Sequence, residues 1–169
     1  KEQFALYVLN NALGGSMSSR LFQHIREERG MAYSVYSYPS GYSGTGYFAL
    51  YAGTEGKQGA KVAELMLQEA RRMREQGLTA DEFHRAKEQL KGSYMLGQES
   101  TSARSSAIGR SMLMRGYALE EGEMLSRIAG VRMEDVEGIL PYVLDETRMV
   151  AAVVGRQAVH EPIRQALNM

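Results

Sequence analysis

The chain has 169 residues, 44% of them apolar and 24% charged, a balance that predicts one globular domain with a sizeable core. Twenty Lys and Arg offset twenty Asp and Glu, so no basic excess favours nucleic acid or anionic lipid. Cysteine is absent, which excludes disulfides, thiolate-held zinc, iron–sulfur clusters and thiol nucleophiles, and leaves the redox compartment open.

In chain order, Phe4, Val8, Leu9, Ala12 and Leu13 recur at helical spacing, and Gly14-Gly15 is expected to end that helix with a left-handed cap. Ser16 and Ser18 are the expected N-cap hydroxyls of a second helix carrying Leu21, Phe22 and Ile25 on one face, with Gly30 at its end. Ala32–Tyr38 alternates aromatic and β-branched residues with serine and predicts a strand. Pro39–Gly44 has turn chemistry, and Tyr47–Tyr51 predicts the returning strand of a hairpin.

Val62, Leu65, Met66, Ala70 and Met73 mark a long amphipathic helix closed by Gly77. Thr79 and Glu82 form a capping box for another, whose apolar face is Phe83, Ala86, Leu90 and Tyr94. Ser100 starts a helix that ends near Arg115, shorter helices are expected at 124–128 and 134–140, and Pro141 marks the end of the second. Arg148–Gly155 is a mostly apolar run of strand length, expected as a buried central strand, and a last helical turn or two covers His160–Leu167. Strands separated by runs of helix predict an α+β fold: one sheet with a Tyr-rich hairpin, covered by several helices. A hairpin and one further strand make a thin sheet for so many helices, and a chain that opens inside a helix suggests a preceding strand in a longer polypeptide. No apolar run approaches the ~20 residues of a membrane helix.

The chemistry is sparse. None of the three histidines, His24, His84 and His160, has another three or four residues away, so no paired-histidine zinc motif can be written. The glycines at 14 and 15 precede a helix but lack a Walker lysine, and they suit a helix connector better than a phosphate cradle. Ser100, Ser102, Ser105 and Ser106 have no nucleophile elbow and read as capping and packing residues. The sharpest feature is Arg26, followed seven residues later by Tyr33. The first lies at the end of the second helix and the second opens the first strand, so a cation and a phenol can project from one corner. Both donate hydrogen bonds to a peptide carbonyl or a developing oxyanion. The same residues equally suit a structural role, with Arg26 on the last helical carbonyls and Tyr33 packed on the sheet.

The stretch from Leu13-Gly14-Gly15-Ser16-Met17-Ser18-Ser19-Arg20-Leu21-Phe22 through Arg26-Glu27-Glu28-Arg29-Gly30-Met31-Ala32-Tyr33 closely resembles the pitrilysin (insulinase)-type zinc metallopeptidases, the superfamily of mitochondrial processing peptidase. Arg85–Tyr94 and Glu99–Arg104 resemble it too, so the likeness covers nearly the whole chain. It implies two homologous α+β halves closed around a peptide. One half carries the inverted zinc motif, and the other contributes an arginine and a tyrosine, here Arg26 and Tyr33. Lacking that motif, residues 1–169 resemble the inactive C-terminal half: no catalytic residue and no metal in this segment, zinc on the partner half, and no hydrolysis by this piece alone. The resemblance implies the catalytic half and a peptide as partners, with no nucleic acid and no membrane, and a bacterial source in cytoplasm or periplasm. An isolated half exposes the surface that meets its partner, so self-association is also expected. The alternative reading is a structural or interaction domain like the superfamily's inactive core subunits.

Overall fold

A computed structural model describes residues 2–42 and 44–169; the expectations that touch Lys1 and Ser43 lie outside the described residues. The elements are α1 (Glu2–Leu13), a π-helical turn (Phe22–Glu27), β1 (Ser34–Tyr42), β2 (Thr45–Gly53), α2 (Gly59–Gln76), α3 (Ala80–Gln98), α4 (Thr101–Arg115), α5 (Glu121–Ala129), α6 (Met133–Glu137), α7 (Leu140–Val143) and α8 (His160–Ala166). The fold is α+β, predominantly helical around one two-stranded antiparallel sheet among the described residues.

The core forms where the apolar stripe of α1 meets β1, α3 and α6. Phe4, Val8, Leu9 and Leu13 are buried there with Leu21, Ile25, Val35, Val136 and Met73. The hairpin pairs Ser34 with Gly53 and keeps register to Tyr42 opposite Thr45, so its connection is tighter than the Pro39–Gly44 turn expected from composition. Tyr36, Tyr38, Ser40 and Tyr42 maintain the two-residue period straight through Pro39, and this alternation outweighs the local turn signal. Gly44, at φ +77°, supplies the left-handed residue of the connection.

Gly14 and Gly15 are not left-handed caps; the glycines with positive φ among the described residues are Gly30, Gly44, Gly77 and Gly116. Gly14 is instead required by close approach. Its carbonyl accepts from the Ser37 backbone N–H at 3.2 Å, and a Cβ there would lie 2.5 Å from that nitrogen. The contact fastens the end of α1 to the outer edge of β1. Ser16 and Ser18 do not cap the following helix either: Ser16 donates to the Asn11 carbonyl and Ser18 to Gln89.

The Thr79–Glu82 capping box forms as the spacing predicts, and Ser100 caps α4 through the Ala103 N–H. Pro141 lies in the first turn of α7, just after Leu140, rather than ending the preceding helix, since a proline there withdraws an N–H that has no intrahelical partner. The largest departure lies at Arg148–Gly155. Arg148 completes a 3-10 turn, and residues 149–155 run without regular structure and largely exposed. Apolar character predicts burial, but a strand also needs a neighbour to bond, and none reaches this run among the described residues.

Candidate functional site

Arg26 and Tyr33 meet at the corner between the π-helical turn and β1. The helix widens there: the Glu28 N–H donates to the Gln23 carbonyl at 2.9 Å, a five-residue spacing in place of four. This turn sends successive side chains to three places. The His24 imidazole Nδ1 lies 2.9 Å from Oε1 of Glu69 on α2, Ile25 is buried in the core, and Arg26 faces outward. Arg72 reaches the same carboxylate oxygen at 3.1 Å, whereas Glu69 Oε2 is buried with no hydrogen-bond partner among the described residues. His24 and Arg72 thus converge on one carboxylate oxygen and tie the turn to α2.

The chain then reverses. Gly30, at φ +59°, takes the Arg26 carbonyl, the Met31 N–H donates to the Ile25 carbonyl, and the Tyr33 N–H donates to the Gly53 carbonyl at 3.0 Å. These bonds deliver Tyr33 to the surface beside Arg26. The guanidinium carbon sits 5.6 Å from the centre of the Tyr33 ring and 4.9 Å from that of Phe22, within cation–π range of both. Tyr33 is 84% exposed, and among the described residues no acceptor is bonded to the Arg26 guanidinium. Arg29, not Arg26, donates to a late carbonyl of the turn, that of His24, and Tyr33 does not pack on the sheet. The pair therefore forms an open shelf: a cation held between two rings, with its donors and the phenol facing solvent.

Beside it lies a surface that alternation alone did not single out. Cross-strand register places Tyr36 against Tyr51 on the outward face of the hairpin, stacked at 4.8 Å. Tyr38 and Tyr47 meet edge-to-face at 6.1 Å, and Tyr42 lies 6.4 Å from Tyr47. All five rings are exposed. A hydrogen bond from Ser40 lowers the Tyr47 phenol below the ordinary tyrosine value, and the neighbouring Tyr47 raises that of Tyr38. The Tyr–Ser alternation was visible in the sequence, but that the covered face is Val35, Ser37, Leu50 and Ala52 emerges only from the pairing.

Arg20 was likewise unassigned by sequence. Its guanidinium donates to both oxygens of Glu82, at 2.6 and 2.8 Å, and to the Gly77 carbonyl at 2.8 Å. These bonds, led by that from Arg20, hold the Glu82 carboxyl at about 2. This fork locks the segment before the π-helical turn to the start of α3.

The residues do not gather for a metal. His84 and His160 are exposed on α3 and α8, far in sequence from His24, and among the described residues no group of three His, Asp or Glu side chains could hold an ion. Among the described residues, the side chains therefore do not fit zinc.

Comparison with known proteins gives these features a context. The model of the family described as the peptidase M16 inactive domain matches residues 1–90. A Streptomyces coelicolor protein named an uncharacterized zinc protease is 46% identical over 155 residues, covering 92% of this chain and 34% of its own length. A Bacillus subtilis protein of the same description, YmxG, is 39% identical over 150 residues, covering 89% and 37%. This chain thus spans about a third of the length of the curated relatives it matches. Among solved structures, a conserved protein from Enterococcus faecalis superposes with a TM-score of 0.67 at 27% identity, covering 83% of this chain and 32% of its own. A peptidase M16 inactive domain from Pseudomonas fluorescens gives a TM-score of 0.70 at 23% identity over 82% of this chain and 33% of that one, a likeness of fold.

Proposed function

Because this chain belongs to the peptidase M16 inactive-domain family, we propose that residues 1–169 form the zinc-free, substrate-binding C-terminal half of a longer two-half zinc endopeptidase. The observation that carries the reading is the Arg26–Tyr33 shelf: two hydrogen-bond donors on one exposed corner, one permanently charged, held in place by ring contacts and by backbone bonds to β2. Such donors suit an extended peptide's carbonyls and the oxyanion that forms when water adds to one of them. Metal and general base belong to the homologous catalytic half, since this chain's histidines are dispersed and one already pairs with Glu69. The part played by this chain is to bind and orient the peptide backbone across the cavity, with no bond cleaved by its own residues.

Arg26→Ala and Tyr33→Phe in the intact two-half protein test this. Removing one oxyanion donor costs about 2.7–4 kcal/mol, a fall of roughly 10²–10³ in turnover of an unfolded peptide. Zinc content, measured on the same samples, stays at the wild-type level. Wild-type turnover in both variants would return the pair to a purely structural role.

A further inference from the structure

Glu69 is a costly residue for its place on α2. Its side chain is 7% exposed, His24 and Arg72 both lie against Oε1, and Oε2 is buried without a hydrogen bond among the described residues. A half-satisfied buried carboxylate carries a desolvation cost that an apolar side chain of similar volume does not. What the carboxylate does that a leucine could not is hold His24. That imidazole, its Nδ1 2.9 Å from Oε1 and its Nε2 3.9 Å from Glu28, stands two residues before Arg26 in the widened turn.

Arg26 depends on such an outside hold. With no bonded acceptor among the described residues, its guanidinium is placed by the rings of Phe22 and Tyr33 and by the rotation of the backbone beneath it. Ile25 is fully buried and fixes the depth of the turn, whereas His24 on Glu69 fixes its rotation about that anchor. Each residue advances a regular helix by about 100°, so a turn relaxed to four-residue spacing swings Arg26 by roughly that angle, away from the Tyr33 ring. We propose that Glu69, acting through His24, is a positioning residue for Arg26: the carboxylate on α2 sets the rotation of the turn and so aims the guanidinium at Tyr33. The functional consequence rests on the reading of the Arg26–Tyr33 shelf as a peptide-binding site; the geometry does not.

Side-chain NMR of the intact two-half protein, made with isotope-labelled arginine, tests it. Held beside two rings, the Arg26 Nε–H resonance is expected upfield of the other arginines and is assigned by its disappearance in Arg26→Ala. Glu69→Leu and His24→Leu are expected to return it to the position of a free arginine, whereas His24→Asn, whose amide nitrogen takes the place of Nδ1, keeps it. Glu69→Leu is expected to hold the urea midpoint at or above the wild-type value, because an apolar side chain replaces a half-satisfied charge. Peptide turnover is expected to fall about tenfold or more in both leucine variants and to stay within about twofold of wild type in His24→Asn. An Arg26 resonance unmoved in either leucine variant overturns the proposal. So does its loss in His24→Asn, or its loss in Glu69→Leu together with a lowered midpoint, which marks general loosening. Wild-type turnover in Arg26→Ala, with the resonances moving as expected, removes the peptide-binding reading and leaves the positioning role in place.

Discussion

Replacing Arg20 by methionine removes the guanidinium that grips Glu82 while keeping a side chain of similar reach. The bond set is unusually complete for a partly exposed pair: two contacts to the carboxylate and one to the Gly77 carbonyl, with the side chains only 12% and 19% exposed. The carboxyl sits at about 2 instead of its ordinary 4.5. A displacement of that size corresponds to about 3 kcal/mol of differential stabilisation at full strength. The Thr79 backbone and hydroxyl share in it, and residual exposure screens it, so the guanidinium accounts for about 1.5–2 kcal/mol. The sign follows from the direction. A depressed carboxyl stabilises the fold fully above its unfolded value of 4.5 and loses that contribution as pH falls from there through about 2. Urea denaturation at pH 7 is expected to show the variant about 1.5–2 kcal/mol less stable, with the gap reduced to roughly two-thirds by pH 3. An equal gap at both pH values would show that Arg20 acts through packing, not through the ionised carboxylate, and would refute the reasoning.

Gly14→Ala places a methyl 2.5 Å from the Ser37 backbone nitrogen and 2.9 Å from a Leu21 methyl, so it is expected to destabilise by about 2–3 kcal/mol in chemical denaturation. On the outward face of the hairpin, a double-mutant cycle with Tyr36→Ala and Tyr51→Ala is expected to return a coupling of about 0.5–1.5 kcal/mol, as stacked rings at 4.8 Å should; additivity would show that the stack contributes nothing.

Local rules read most of the helices from the sequence. The Thr79–Glu82 box, the Ser100 cap and the close of α2 at Gly77 are written in residue type and spacing, and each forms where that spacing puts it. The corner that brings Arg26 to Tyr33 was legible for the same reason, since seven residues and one glycine confine the geometry. What stayed hidden depends on partners distant in sequence. Nothing near Gly14 indicates that it must admit the Ser37 backbone, 23 positions later. The widened turn at Phe22–Glu27 has no local signature either. It follows from satisfying His24 on α2 and Ile25 in the core together.

Residues 148–155 show why an apolar run does not by itself specify a strand. A helix closes its hydrogen bonds within its own segment, so its periodicity announces both the element and its means of satisfaction. Extended backbone announces only a demand, and the groups that meet it belong to another segment. Met149–Val154 has the composition of a central strand and the exposure of a loop. β2 is the complementary case, a strand with one edge engaged and the other open onto the same cleft. Strand character therefore needs a bonding partner as well as an apolar composition.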